Sequence, residues 1–301
     1  MLSRKNKLLL LKLLSLFSIV RGYNILVIAL AQYLASIYIL AHQLPLRSVV
    51  FDLNLFCIVL SSALVIAGGY IINSFYDSEK DLINKPRKSM LDRLVGQRTK
   101  LSAYFTLNFL SVFFASYVSF RAVLFFSAYI FGIWFYSHKL KKIPFLGNFI
   151  SATLAIAPFF AVFVYYKNFD TVIFVHAIFL FLLILAREMI KDLENIAGDL
   201  AQNYKTIPIL YGERTSKTTI TILISLTLIP SLLLINNFDV GYMYLYFMAC
   251  IFFLGVFLVL LWRARTKFHY VWLHNILKLI IVLGVFSILL IDIHLVLNRI
   301  L

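Results

Sequence analysis

Two short stretches of this chain place oxygen-bearing side chains at helical spacing. Asn73, Asp77 and Asp81 follow i, i+4, i+8, and Asp192, Asn195 and Asp199 follow i, i+3, i+7. Each trio therefore stacks along one helical face. Carboxylates and amide carbonyls in a row suit a hard cation such as Mg²⁺, which also takes waters and phosphate oxygens. Both stretches carry positive charge beside the acids: Lys85, Arg87 and Lys88 around Pro86 after the first, Arg187 and Lys191 flanking Glu188 in the second. Two metal-ligating faces with basic neighbours could neutralise a diphosphate leaving group, each metal acting as a Lewis acid. The competing reading is that these are ordinary interface residues whose acids pair with loop lysines.

The elements that must position these residues are membrane helices. Of 301 residues, 62% are hydrophobic and only 14% charged, where a soluble domain carries about 25% charged residues. A bilayer core asks for roughly 20 consecutive apolar residues per helix. Apolar runs near 22–41, 52–76, 101–119, 121–137, 147–166, 171–190, 217–235, 241–262 and 273–296 read as about nine spans. The fold class is all-α: a polytopic bundle with a cavity facing the cytoplasm. The opening stretch, Met1 to Val20, resembles a signal peptide, but Lys12 interrupts its apolar run and no small-residue cleavage site follows. It reads as a membrane-surface helix leading into the first span. The two cysteines, Cys57 and Cys250, lie in apolar runs, which leaves no disulfide framework or cysteine metal site.

The net charge of +15 is one signature of a nucleic-acid binder, but its distribution is that of the positive-inside rule. Twenty-three of the 28 Lys and Arg fall in the N-terminal segment and in the connections after the second, fourth, sixth and eighth spans; Arg47, Arg121, Lys167 and Arg299 fall on the other side, and Lys278 within the last span. The N-terminus and the acids are expected on the cytoplasmic side of a cell inner membrane, with the C-terminus outside. Nine of the 13 acids share that basic side, and the positive-inside rule does not ask for carboxylates. A transporter is the rival from another class, since intramembrane acids also mark ion paths. Transporters, however, tend to place their charges near the bilayer midplane on broken helices.

Asn73-xxx-Asp77-xxx-Asp81 with Asn84-x-Pro86, followed by Lys191-Asp192-xxxxx-Gly198-Asp199, resembles the UbiA superfamily of intramembrane prenyltransferases across nearly the whole chain, 1–301, read as one domain. REMIKDLENIAGD and YSHKLKKIPFLGN at 136–148 are most similar to the geranylgeranylglyceryl phosphate geranylgeranyltransferases. One departure stands out: such enzymes usually have Asp where Asn195 stands, so the second face carries one negative charge fewer.

The resemblance implies Mg²⁺-dependent transfer of a polyprenyl group from an allylic diphosphate to a hydrophobic acceptor, at the membrane and without nucleic acid. An aromatic acceptor, as in quinone, haem or chlorophyll synthesis, is the alternative. The metal ligands would be Asn73, Asp77, Asp81, Asp192, Asn195 and Asp199, with the four aspartates and Lys139 as the catalytic set. Lys139, Lys141 and Arg87 are placed to stabilise charge on the departing diphosphate. Arg21 and Asn24 match a similar pair in the family, and Arg187, Lys191 and Tyr136 complete the expected substrate contacts. Tyr70, Tyr76 and Tyr136 could shield an allyl cation or simply anchor the membrane interface. Lys278 has to snorkel or reach the cytoplasmic cavity, and His138 is a proton acceptor or a solvated loop residue.

Overall fold

A computed structural model describes residues 4–292; the end of the last expected span, with His294 and Arg299, lies outside the described residues. The elements run α1 (Arg4–Val20), α2 (Gly22–Ala35, prolonged by a π-helical turn over Ser36–Leu40), α3 (Leu46–Val50), α4 (Leu53–Tyr76), α5 (Ser78–Asn84), α6 (Pro86–Asp92), α7 (Gln97–Val118), α8 (Phe120–His138), α9 (Leu146–Tyr166), α10 (Thr171–Ala201), α11 (Ile207–Leu226), α12 (Leu228–Asn236), α13 (Tyr244–Arg263) and α14 (Lys267–Ser287). Among the described residues, nine helical stretches are long and apolar enough to cross a membrane, with α11 and α12 together forming the seventh. The chain is an integral membrane protein, as its composition requires.

Two helix boundaries differ from those of the apolar runs, each for a physical reason. The sixth apolar run ends near residue 190, and α10 carries the helix on to Ala201, as the helical spacing of Asp192, Asn195 and Asp199 requires. Near its end, Gly198 admits the Asn84 amide into a space that a Cβ would fill. The seventh was expected to begin at 217. Helix starts ten residues earlier because Pro208 sits in the first turn, where its missing N–H costs nothing. Gly212, at φ 81°, then kinks the chain in a region open mainly to glycine.

Apolar packing forms two large clusters, one where α10, α11, α13 and α14 meet and one where α4, α7, α8 and α9 meet. In lipid, helices gain little from apolar contact alone, so small residues and interhelical hydrogen bonds do much of the joining. Between α4 and α7, Ser61 and Ser111 each donate to the other's backbone carbonyl at 3.0 Å. Pro158 inside α9 cannot donate to the carbonyl of Leu154, and the Tyr129 hydroxyl of α8 supplies that hydrogen bond at 3.0 Å. Gln32 of α2, fully buried, donates to the Pro158 carbonyl at 2.8 Å and to Ser62 Oγ at 3.1 Å. These bonds hold α4 and α9 in register, with their cytosol-expected ends side by side.

Replacing Tyr129 by Phe leaves the Leu154 carbonyl without a donor in an apolar setting. The expected cost is about 1–2 kcal/mol, read as a lower thermal unfolding midpoint in detergent. An unchanged midpoint contradicts this account of how α9 tolerates its proline.

Candidate active site

Asp77 marks the break between two helices. Its backbone sits at φ −92°, ψ 8°, ending α4, and α5 resumes at Ser78. The i→i+4 ladder nevertheless carries across the break: Asp77 N donates to Asn73 O at 2.9 Å and Asp81 N to Asp77 O at 2.8 Å. Asn73 and Asp77 thus keep the common face expected of them. The Asp77 side chain is buried and meets three partners from distant parts of the chain. Lys141 Nζ, on the tight turn between α8 and α9, lies 2.6 Å from Asp77 Oδ1 and 3.3 Å from Asn73 Oδ1. The Tyr204 hydroxyl donates to the same Asp77 oxygen at 3.0 Å.

Tyr204 is held by the end of α10. Its N–H bonds the Asp199 carbonyl at 2.8 Å, Asn203 turns the chain in the left-handed region (φ 54°), and Lys205 N donates to Lys142 O at 3.1 Å. The last bond joins this turn to the one carrying Lys141. Across the same space, Lys80 of α5 forms an ion pair with Asp199, which is fully buried. Lys80 also lies over the Tyr204 ring, 4.4 Å from its centroid. Asn84 then ties α5 to α10: its Oδ1 accepts from Gly198 N at 3.1 Å and its Nδ2 donates to Asn195 O at 3.4 Å.

The structure therefore brings Asn73, Asp77, Lys141, Asn195 and Asp199 together from both stretches. Asp192 joins from one side, its Oδ2 accepting from Asn148 Nδ2 at 2.7 Å. Lys191 pairs with Glu188 at 2.9 Å, Arg187 approaches Glu188 at 3.7 Å, and Ser151 also donates to Glu188 at 3.0 Å. Tyr136 stands among Lys191, Glu188 and Asp192. Asn24 donates to the Tyr70 hydroxyl at 3.1 Å, and Arg21 lies over the Tyr70 ring. Other expected residues are not drawn in. Lys139 and Arg87 are exposed. Asp81 is half-buried, and the groups that feel its charge are Lys85, Lys88, Asp92 and Lys100 rather than Asp77. His138 stacks on Trp134.

Four partners were missed by the sequence reading: Lys80, Asn148, Ser151 and Tyr204. Lys80 lies inside the first motif, between Asp77 and Asp81, and Asn148 is a polar residue at the start of an apolar run, so both left a trace. Tyr204 left none, because only the turn after Asp199 directs it back.

Electrostatics at Asp77 follow from these neighbours. Burial works against its ionisation, but the Lys141 ammonium and then Lys80 outweigh it, holding the carboxyl below the usual aspartate range. Burial in turn lowers Lys141, against the pull of Asp77.

The donor set fits a hard cation in kind, since every candidate atom is an oxygen. Asn195 Oδ1 and Asp199 Oδ2 are buried with no partner, whereas Asp199 Oδ1 is taken by the Lys80 ion pair. Unpaired buried oxygens are costly, and a ligand would relieve them. No three His, Cys, Asp or Glu side chains gather closely enough among the described residues to hold one ion by themselves. Any ion here would rely on the two asparagine oxygens and on oxygens of the substrate.

Comparison with known proteins gives the family and the fold. Residues 29–279 match the UbiA prenyltransferase family. The chain belongs to the UbiA prenyltransferase family. It is a prenyltransferase of the membrane. A digeranylgeranylglyceryl phosphate synthase of Thermococcus sibiricus is 33% identical over 217 residues, covering 71% of this chain and 75% of that protein. The synthase of Saccharolobus solfataricus is 27% identical, covering 79% and 82%. A solved digeranylgeranylglyceryl phosphate synthase superposes with a TM-score of 0.70 at 22% identity, over 92% of this chain and 97% of that one. A UbiA homologue from Archaeoglobus fulgidus bound to GPP and Mg²⁺ gives 0.66 at 15%, over 91% and 99%. At these identities the structural likeness establishes the UbiA fold.

Because Asp77 has a lowered pKa, its contribution to stability is complete above the unfolded value and is lost as pH falls through the folded one. Lys141→Met leaves burial as the dominant influence on Asp77. The acid limb of both stability and prenyl transfer is then expected to move up by about one unit or more. Thermal unfolding and rate measured across pH check this; an unmoved acid limb would show that Lys141 does not set the charge of Asp77.

Proposed function

We propose that this protein transfers a geranylgeranyl group from geranylgeranyl diphosphate to geranylgeranylglyceryl phosphate, with Mg²⁺ and with the site on the cytoplasmic side. The observation that carries the reading is the meeting of Asp77 and Asp199 with Lys141 and Lys80 at one end of the bundle. The curated relatives that match most of the chain bear on the acceptor, being synthases of digeranylgeranylglyceryl phosphate. The orientation rests on the loop charges.

In this reading Asn73, Asp77, Asp192, Asn195 and Asp199 would hold the metal, and Asp81 extends the first face toward the basic loop. Mg²⁺, when bound, supplies Lewis-acid stabilisation of the leaving diphosphate. Lys141 and Lys80 give fixed positive charge where negative charge grows as the C1–O bond breaks. Tyr204 orients Asp77 and stands beside both lysines. The hydroxyl oxygen of the acceptor bonds to C1 as the C1–O bond to the diphosphate breaks, its proton passing to the released diphosphate, while the surrounding helices exclude water from the allylic carbon.

An apolar cavity of about 130 Å³ lies among α9, α10, α13 and α14, lined by Phe159, Phe160, Phe179, Leu180 and Tyr246. Leu180 is twelve residues before Asp192 on α10, roughly 18 Å along the helix. That separation suits the far part of a long prenyl tail whose diphosphate is held at the acids.

Purified protein in lipid, given labelled geranylgeranyl diphosphate, Mg²⁺ and a panel of acceptors, is expected to form product with geranylgeranylglyceryl phosphate. Asp77→Ala and Asp199→Ala should each lower kcat by about 10²-fold or more, and a chelator should stop the reaction. Product with aromatic acids alone would overturn the acceptor assignment, and full activity in either variant would overturn the role of the acids.

A further inference from the structure

A second charged site lies beside the acids, and it is nearly all positive. A cleft of about 420 Å³ opens between the α1–α2 junction, the segment around Lys85 and Lys88, α10 and α14. Arg21, Lys85, Lys88, Arg187 and Lys278 line it against one carboxylate, Glu194. Glu194 is already engaged, by His274 at 2.9 Å and by Lys85 at 3.7 Å. Arg187 approaches Glu188 at 3.7 Å, and its buried Nε has no hydrogen-bond partner. Arg21, Lys88 and Lys278 have no carboxylate within ion-pair distance among the described residues. Burial first, then the like charge of Arg21, lowers the pKa of Lys88 against the pull of the more distant Asp92 and Asp81.

Two features show that these cations are held in place. Arg21 takes the left-handed backbone conformation, φ 52° and ψ 52°, at the junction that turns α1 into α2. That conformation costs a residue with a Cβ about 1–2 kcal/mol, and such strain gathers at functional positions. Lys278 lies eleven residues into α14, roughly 16 Å from its start. Its Nζ is fixed at the Tyr23 side chain, 3.2 Å from the hydroxyl and 4.3 Å from the ring centroid.

Helix α10 stands between this cleft and Asp199, while Asp81, whose charge acts on Lys85 and Lys88, borders the cleft on the other side. At 100° per residue, Arg187 and Glu194 share one face, while Asp199 lies roughly 120° around from Arg187. Tyr70, contacted by Arg21 and Asn24, is on α4 one turn before Asn73 and Ser74. The cleft and the acid site are therefore neighbours with separate linings.

We propose that this cleft binds the phosphate monoester of the acceptor lipid, apart from the diphosphate of the donor. The proposal rests on the reading that the acceptor is an isoprenoid glyceryl phosphate. A phosphate dianion suits several lysine point charges with the planar donors of two arginines. Two anionic substrates meeting at one carbon repel each other, and separate cationic sites overcome that repulsion. Lys278 and Lys88 then decide between acceptors that carry a phosphate and acceptors that do not.

The test uses the full chain in nanodiscs of neutral lipid, with labelled geranylgeranylglyceryl phosphate and neither donor nor Mg²⁺, so that binding is read apart from transfer. Lys278→Met and Lys88→Met are expected to weaken binding about tenfold or more, whereas Lys278→Arg and Arg98→Met, the latter exposed and outside the cleft, stay near wild type. In turnover the same losses should appear in KM for the acceptor and not in KM for geranylgeranyl diphosphate. Unlabelled acceptor should displace the label far better than inorganic phosphate or phosphatidylglycerol. Wild-type binding in both Met variants, a shift confined to the donor KM, or equal displacement by phosphatidylglycerol overturns the proposal. Binding that behaves as expected with no transfer at all would overturn the proposed reaction and leave the cleft assigned.

Discussion

Charge buried at the edge of a bilayer has to be answered by opposite charge, and the candidate site is organised by that requirement. Removing an ion from water costs several kcal/mol even after the protein relaxes. Asp77 and Asp199 are buried where apolar helices converge, and each is met by one lysine brought from another segment. The polar elements at this end of the bundle are arranged around those two pairings. The α8–α9 turn carries Lys141, the break after Tyr76 turns Asp77 inward, and the bend after Asp199 returns Tyr204 to both.

The same requirement gives the site its chemical bias. A carboxylate paired with a lysine is a structural ion pair, stable and inert, until a stronger partner displaces one member. A metal ion would compete for the carboxylates and a diphosphate for the lysines, so the two together exchange one set of pairings for another. The free oxygen of Asn195 and the incomplete hydrogen bonding of Asp199 mark the positions where that exchange would gain most. The cationic cleft across α10 differs in having almost no acids to satisfy it, which is why it reads as a place for an anion rather than for a metal.

Much of this was legible in the chain. The nine spans follow from apolar runs, and the acid stretches follow from spacing alone, because a helix places i and i+4 on one face wherever it sits. The family resemblance rests on the same residues. What stayed hidden depended on tertiary direction. Lys139 and Lys141 are two residues apart in one turn, and nothing in their order shows that only Lys141 points at Asp77. Asp81 shares the spacing of Asp77, yet the break at Asp77 leaves it among the lysines of the next loop. Gly198 stands near the end of α10, and nothing in the sequence shows that its missing side chain makes room for Asn84. Lys278 had either to snorkel or to reach the cavity, and only packing sets it in one cleft with Arg21 and Lys88.

In the proposed reaction Asp77 and Asp199 together hold a divalent ion beside a diphosphate. The most direct test of that role is electron paramagnetic resonance of Mn²⁺, as a spin-active stand-in for Mg²⁺, titrated into the detergent-solubilised protein with inorganic diphosphate present. A bound Mn²⁺ signal is expected in the wild type and its loss in Asp77→Asn and in Asp199→Asn, with both variants folded by circular dichroism. Undiminished Mn²⁺ binding in those two variants would contradict that role.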